Sequence, residues 1–327
     1  MKDFQSFKVK IVLLILGVLF TSIINACCDR NPFCINDKED CDLCSCSTGS
    51  GSLGFGTLSN ANFVGIRYIY QNFESRDGIF SNSPITKENF NTYQLWAQIP
   101  INKSIFISAN LPYQNLKRSF ESGNDDKING FGDASVMGWY KLLFYKKQDK
   151  SLVTTAKEAS GHSIRFGLGI KLPTGKFEES LADNVNPGFQ VGTGSVDGVF
   201  SLGYSYGRDK YGVNTLVSYY AKGKNKNEYQ FGNQFSYSVN LYRAFSTKKA
   251  NIMPFISVSG DIYSKITQYG ETLKDTDGSI LNASLGSELA VKKFIFGASY
   301  SKPLSQNLFG GNVTSKQQVS VYVNYAL

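Results

Sequence analysis

The sequence predicts an all-β fold: a transmembrane, antiparallel up-and-down β-barrel of about twelve strands, with a short cysteine-rich N-terminal segment. Three observations carry this. The last run, 317–327, alternates. Val319, Val321, Val323, Tyr325 and Leu327 fall on one parity, and Gln318, Ser320, Tyr322 and Asn324 on the other. That is the period of a strand with one apolar and one polar face, suited to the closing strand of a membrane barrel. Composition agrees: the 327 residues hold 31 Gly, 19 Tyr and 24 Phe, and aromatics reach 14%. Mean hydropathy is only −0.20, too polar for a bundle of membrane helices. Finally, ionised residues inside the alternating runs sort onto the polar parity, away from lipid.

Residues 1–26 stand apart. Lys2, Lys8 and Lys10 precede the apolar run 11–20, and Ala26 precedes Cys27. A membrane helix needs about 20 apolar residues, so this reads as a secretory signal and is left out of fold reasoning. The whole chain carries +8; the signal's three lysines and Asp3 account for +2, leaving +6. Export and scattered basic residues argue against nucleic acid as a partner.

Residues 27–60 form a cysteine segment and a linker. All six cysteines, Cys27, Cys28, Cys34, Cys41, Cys44 and Cys46, lie here. In an exported chain such a cluster reads first as disulfides, in pairings the sequence does not specify. Cys41-Asp-Leu-Cys44-Ser-Cys46 admits a second reading, a soft metal held by three thiolates; Cys34 joins either set. The residues before Cys27 resemble a lipoprotein processing site, although Asn25 departs from it. Lipidation of Cys27 is therefore the alternative to ordinary signal cleavage. No other cofactor is expected. The Gly/Ser run 47–56 reads as a flexible linker.

Residues 61–327 divide into twelve runs. The first, 62–73, places Val64, Ile66, Tyr68 and Tyr70 outward and Arg67 inward. The second, 90–101, places Gln94, Trp96 and Gln98 inward. Asn102-Lys103 turns it into the third, 104–116. The fourth, 132–144, directs Asp133, Ser135 and Lys141 inward. The fifth, 163–172, directs Arg165 and Lys171 inward. The sixth is set at 192–206 with Asp197 inward, and the seventh at 211–221. The eighth spans 229–245, with Phe231, Phe235, Tyr237, Val239 and Leu241 outward. The ninth spans 251–266, with Asp261 inward. The tenth, 280–291, carries Glu288 inward and turns at Lys292-Lys293 into the eleventh, 294–303. The closing strand follows. Connections after even-numbered runs are mostly short, and those after odd-numbered runs mostly long and polar. That suits both termini facing the periplasm. The connection 145–162 breaks the pattern. A soluble β-sandwich is the competing fold, but its strands are usually shorter.

The expected lumen lining is therefore Arg67, Gln94, Trp96, Asp133, Lys141, Arg165, Lys171, Asp197, Asp261 and Glu288. Their mixed signs fit either a selective polar path or a neutralising network that fills a narrow barrel. Chemistry is sparse. His162 is the one histidine, read as an exposed turn residue. Its neighbour Ser163 points the other way, so no hydrolytic pair forms and no enzyme activity is expected. Gly130-Phe-Gly132 and Gly192-Thr-Gly194 read as strand-entry glycines rather than phosphate loops, and no aromatic cage is apparent.

Several stretches resemble the outer-membrane family named for the meta-pathway of phenol degradation. They are Gly130-Phe-Gly132-Asp133, Lys171-Leu-Pro-Thr-Gly175, Gly192-Thr-Gly194-Ser-Val-Asp197 and the closing strand. More narrowly, the chain is similar to Bacteroidetes transporter-type barrels. There a Cys-x-x-Cys-x-Cys element and a Gly-rich linker precede a first strand like Asn62 to Tyr68, and a loop like Ser305 to Gly311 occurs. The resemblance covers about residues 41–327 and carries over no catalytic residue. It implies passage of small, often hydrophobic or aromatic compounds across the outer membrane. The expectation is a passive channel in contact with outer-membrane lipid. The alternative is a non-transporting barrel that anchors a cysteine module for metal or redox binding.

Overall fold

In the computed structural model, residues 62–327 are described apart from 77–83, 124, 145–160, 182–183, 209 and 248. The signal, linker and cysteine readings, including Cys27 and the Cys41–Cys46 cluster, lie outside the described residues.

Twelve antiparallel strands form one closed sheet: β1 (Phe63–Arg76), β2 (Ile85–Pro100), β3 (Ile105–Ser119), β4 in two parts (Asp125–Phe131 and Ala134–Leu143), β5 (Gly161–Leu172), β6 (Asp197–Arg208), β7 (Tyr211–Ala221), β8 (Gln234–Arg243), β9 (Asn251–Tyr263), β10 (Gly278–Val291), β11 (Phe294–Leu308) and β12 (Val313–Ala326). Each strand pairs with its sequence neighbours, and β12 closes on β1 from Ala326 opposite Phe63 to Val313 opposite Ser75. Closure leaves no row of unpaired amides facing lipid, which a membrane does not tolerate.

The alternation decides the faces. In β1 the even-numbered Val64 and Ile66 are exposed, while Phe63, Arg67, Ile69, Gln71 and Phe73 are buried. The outward parity of each strand likewise exposes Leu95, Phe166, Leu168, Phe200, Leu202, Ile256 and Leu285. A soluble protein rarely bares so much contiguous apolar surface. Aromatic rings border it. One group follows the register from Tyr68 to Tyr93 (centroids 5.1 Å apart) and from Tyr113 to Phe131 (5.4 Å). The other stands near the chain termini: Phe294 packs on Tyr325 at 5.5 Å, and Arg243 lies over Tyr211 and Phe245. These are the two aromatic girdles of a membrane barrel. Beyond the first girdle the outer face turns ionic, with Lys316–Glu74 (2.6 Å) and Lys117–Asp125 (2.8 Å).

Several boundaries differ from the sequence reading. The wall continues past the lipid belt, so β2 begins at Ile85 and β4 at Asp125 rather than at Phe90 and Gly132. Their outer face is mostly polar, so the alternation of a lipid-facing strand is lost there. The sixth run was set too early. Residues 192–196 are not strand; they form a coil inside the barrel, and β6 starts at Asp197. The eighth run was also too long. Tyr229–Gln230 leaves the wall to pair with Thr267–Gln268 in a small separate sheet. Phe231 is consequently buried (6% exposed), not outward. The ninth strand ends at Tyr263, leaving Ile266 buried beyond it. His162 belongs to β5 rather than a turn. Its ring is on the outer face, with Nδ1 at 2.7 Å from the Tyr204 hydroxyl, while Ser163 is buried.

The outward face generates a direct expectation. Leu168→Arg, in the apolar belt, should cost about 2–4 kcal/mol, read by urea titration of folding into lipid vesicles. A change near zero would mean that this face does not meet lipid.

Candidate functional site: the interior and its inward-folded segment

The end of the barrel away from the chain termini, here the far end, carries the connections 173–196, 222–233 and 264–277. The first of these does not stay outside. Phe189, Gln190 and Val191 are fully or almost fully buried. Phe189 lies 6.2 Å from Phe90 of β2 and takes the Arg118 guanidinium of β3 over its ring at 4.5 Å. Residues 186–191 therefore reach from the β5–β6 connection to β2 and β3, within the barrel.

Three short motifs converge where this segment meets the wall. Between the two parts of β4, Gly132 and Asp133 leave the ladder. Asp133 Oδ1 accepts from the Gly175 amide at 3.0 Å. Its Oδ2 accepts from the Thr193 amide (2.9 Å), the Thr193 hydroxyl (2.7 Å) and Lys171 Nζ (2.7 Å). Lys171 Nζ also donates to Thr193 Oγ1 and lies 3.2 Å from Asp197 Oδ2. Lys222, just past β7, stands 3.4 Å from the same oxygen. Asp197 Oδ1 accepts from Ser195 Oγ at 2.8 Å and from the Gly223 amide at 3.0 Å. Two carboxylates and two ammonium groups thus form a buried network in which ion pairs and hydrogen bonds meet the charges. A buried ion cluster needs that arrangement to offset desolvation.

Glycine is required here for space. A Cβ on Gly175 would lie 2.8 Å from Gly192 Cα and 3.0 Å from the carbonyl carbon of Gly132. Gly194 adopts φ +70, which a bulkier residue resists. The glycines read as strand entries are thus the backbone contacts that let three segments touch, a role that local sequence does not show.

Inward from this network lies an apolar layer. Phe73, Phe90, Leu116, Phe189, Phe231 and Phe309 belong to one buried cluster drawn from β1, β2 and β3 and the connections. The expectation that no aromatic cage exists is therefore corrected. Phe73 and Phe90 stand on the inward parity at the ends of their runs, and the other rings come from loops, where alternation gave no signal. Arg118 pairs with Glu88 at 3.0 Å beside this layer.

The other expected lining residues sit on the inward face. Arg67 (4% exposed) donates from Nε to Gln94 Oε1 at 2.7 Å and lies over Trp96. Arg165 Nη2 donates to Asn214 Oδ1 at 3.1 Å. Asp261 accepts from Ser236 (2.6 Å) and Gln234 (3.1 Å), and Glu288 accepts from the Tyr322 hydroxyl. Lys141 is half-buried on the inward parity of β4. Asp133, Lys171 and Asp197 are brought together; Arg67, Gln94 and Trp96 form a second group. Thr193, Ser195 and Lys222 were missed, because loop residues show no periodicity.

A latch of exposed groups joins two far-end connections. Glu178 accepts from Asn227 (2.9 Å) and pairs with Lys226 (2.7 Å), whose ammonium also lies over Phe177. Bonds from Lys226 and Asn227 hold the Glu178 carboxyl below the usual range.

This fold and interior define a membrane β-barrel of the outer-membrane type, closed by twelve strands and filled at one end by its own loop. The chain belongs to the family described as "Putative MetA-pathway of phenol degradation", which matches residues 89–312. Nothing among curated proteins matches the sequence. Among solved structures, the COG4313 outer membrane channel from Pseudomonas putida F1 superposes with TM-score 0.55 at 10% identity, over 90% of this chain and all of that one. The β domain of the Bordetella autotransporter BrkA reaches 0.43 at 9% identity, over 82% of this chain and all of that one.

Two outcomes follow. Asp133→Ala leaves Lys171 without its nearest carboxylate and should cost about 3–5 kcal/mol locally. Hydrogen exchange at 186–196 should rise sharply while the strands stay protected; unchanged exchange there would show that Asp133 does not hold the segment. The Glu178 carboxyl has a lowered folded pKa, so its latch is intact above the unfolded value and is lost as pH falls through the folded one. Exchange in 225–228 should therefore rise only below about pH 4, and Glu178→Gln should remove that dependence.

Proposed function

We propose that the chain is a channel of the bacterial outer membrane, with both termini on the periplasmic side. In this reading it passes small molecules by passive diffusion and favours apolar and aromatic ones. The observation that carries it is the apolar layer around Phe90, Phe189, Phe231 and Phe309, set inside a barrel whose inner face also carries buried polar and charged side chains. A water-filled pore gains nothing from rings in its lumen. An apolar solute can trade contacts with them and so leave water at little cost. The segment bearing Phe189 and Val191 is held by side chains rather than by the sheet, so it can move while the wall stays closed. Family membership and the outer-membrane channel fold support this reading. No catalytic residue is assigned: His162 faces outward, and Ser163 points to the opposite side.

Two measurements on one set of variants test it. Planar bilayers should show low conductance for the wild type and higher conductance for Phe189→Ala. Cells carrying the chain should take up the apolar fluorophore N-phenylnaphthylamine faster than cells without it, and Val191→Asp should remove that gain. Wide-open ionic conductance in the wild type, or dye uptake indifferent to Val191, would defeat the proposal.

A further inference from the structure

The charges beside the apolar layer neutralise one another: Arg118 with Glu88, and Lys171 and Lys222 with Asp133 and Asp197. Arg67, in the half of the barrel nearer the termini, does not follow that rule. Its one hydrogen-bond partner is the neutral Gln94, and no carboxylate among the described residues pairs with it. Arginine stays ionised at any physiological pH, so a buried one without a counter-charge leaves an anion-binding fork unused.

The polar atoms around it are unused as well. Trp96 Nε1, Asn110 Oδ1 and both amide atoms of Asn324 are buried without a hydrogen-bond partner among the described residues. They lie along one register row: Asn324 opposite Gly65, Gly65 opposite Trp96, and Trp96 opposite Asn110. Leaving several such groups unpaired in one place is costly, at about 1–3 kcal/mol each. Gly65 lets the Asn324 side chain lie against the wall here, since a Cβ there would collide with the Asn324 amide. The walls are aromatic. Phe63 meets Trp96 edge-on at 4.6 Å, Tyr322 does so at 5.4 Å, and the Arg67 guanidinium lies 4.4 Å from the Trp96 ring centre.

Unpaired positive charge, free N–H donors and flanking rings together describe a ligand with an anionic end and a flat apolar body. The geometry points to a binding site for a small aromatic carboxylate on the inner wall formed by β12, β1, β2 and β3. Its carboxylate is held by Arg67 with the Trp96 Nε1–H and Asn324 Nδ2–H donors, and its ring by Phe63, Trp96 and Tyr322. An aliphatic anion satisfies only the first half of this site, and a neutral aromatic only the second. The site deepens the channel reading by naming a solute class, and it lies apart from the apolar layer. Binding in detergent requires no transport, so its failure and a failure of the flux measurements are distinguishable.

The chain has two tryptophans, which supplies the readout. Trp139 is tied to Ser108 Oγ at 2.8 Å on another part of the wall, so Trp139→Phe leaves Trp96 as the reporter. The full chain carrying that change, in detergent micelles near neutral pH, is titrated with sodium benzoate, sodium acetate and benzyl alcohol. Benzoate should change Trp96 emission saturably. Acetate and benzyl alcohol should act about tenfold more weakly or not at all, and adding Arg67→Gln should weaken benzoate by about tenfold or more. No saturable response to benzoate, an equal response to benzyl alcohol or acetate, or undiminished binding by a folded Arg67→Gln protein would overturn the site. Should that variant not fold, as judged by its mobility without heating, the three-ligand comparison with Arg67 intact decides the question.

Discussion

Everything in this molecule depends on one constraint: a chain within lipid must satisfy its own backbone. Twelve strands do so by pairing each with both neighbours and joining Phe63–Arg76 to Val313–Ala326. Once the sheet is closed, side chains have two destinations, lipid or interior, and the two-residue period assigns them. Ile66, Leu168 and Leu285 go out; Arg67, Lys171 and Glu288 go in. The exposed apolar belt and the buried charges are thus two results of the same geometry.

Closure also creates an interior that must be filled or wetted. At the far end the chain fills it with part of its own β5–β6 connection. That choice imposes local demands. The incoming backbone must pass close to Gly132 and Gly175, which excludes side chains there. Its polar groups must be matched, which Asp133, Lys171, Asp197 and Lys222 accomplish. Its apolar residues, Phe189 and Val191, need partners, which the inward faces of the strand extensions supply. The three motifs that resemble the family converge on this junction. As isolated stretches they look like turns; in space they are one joint.

The interior is consequently divided. Towards the far end, charge is balanced and rings are packed. Towards the termini, Trp96, Asn110 and Asn324 keep unmatched polar atoms, and no carboxylate among the described residues pairs with Arg67. A network of balanced charges stiffens a structure, whereas groups left unmatched in one place suit a transient guest. The same wall serves both purposes because neighbouring inward positions on a strand are two residues apart and can differ freely.

Much of this was legible in the residues alone. Alternation in runs such as 62–73, 104–116 and 317–327 is a property of the backbone that survives without knowledge of any partner. Fold class, the faces of the strands and the inward parity of Arg67, Arg165 and Asp261 could be read directly. Alternation fades wherever both faces of a strand are wet or the chain leaves the sheet. The extensions at Ile85 and Asp125 therefore leave no local signal, Phe231 reads as outward although it is buried, and 192–196 reads as strand although it is coil. The meeting of Asp133, Lys171, Thr193 and Asp197 was beyond the sequence for a further reason. Contacts among residues up to 60 positions apart depend on how the loop turns inward, and no local pattern encodes that path. Sequence alone determined which side of the wall each strand residue faces, because two-residue periodicity is local. Tertiary structure alone decided which of the inward residues meet one another, because that is set by closure and by the loop inside.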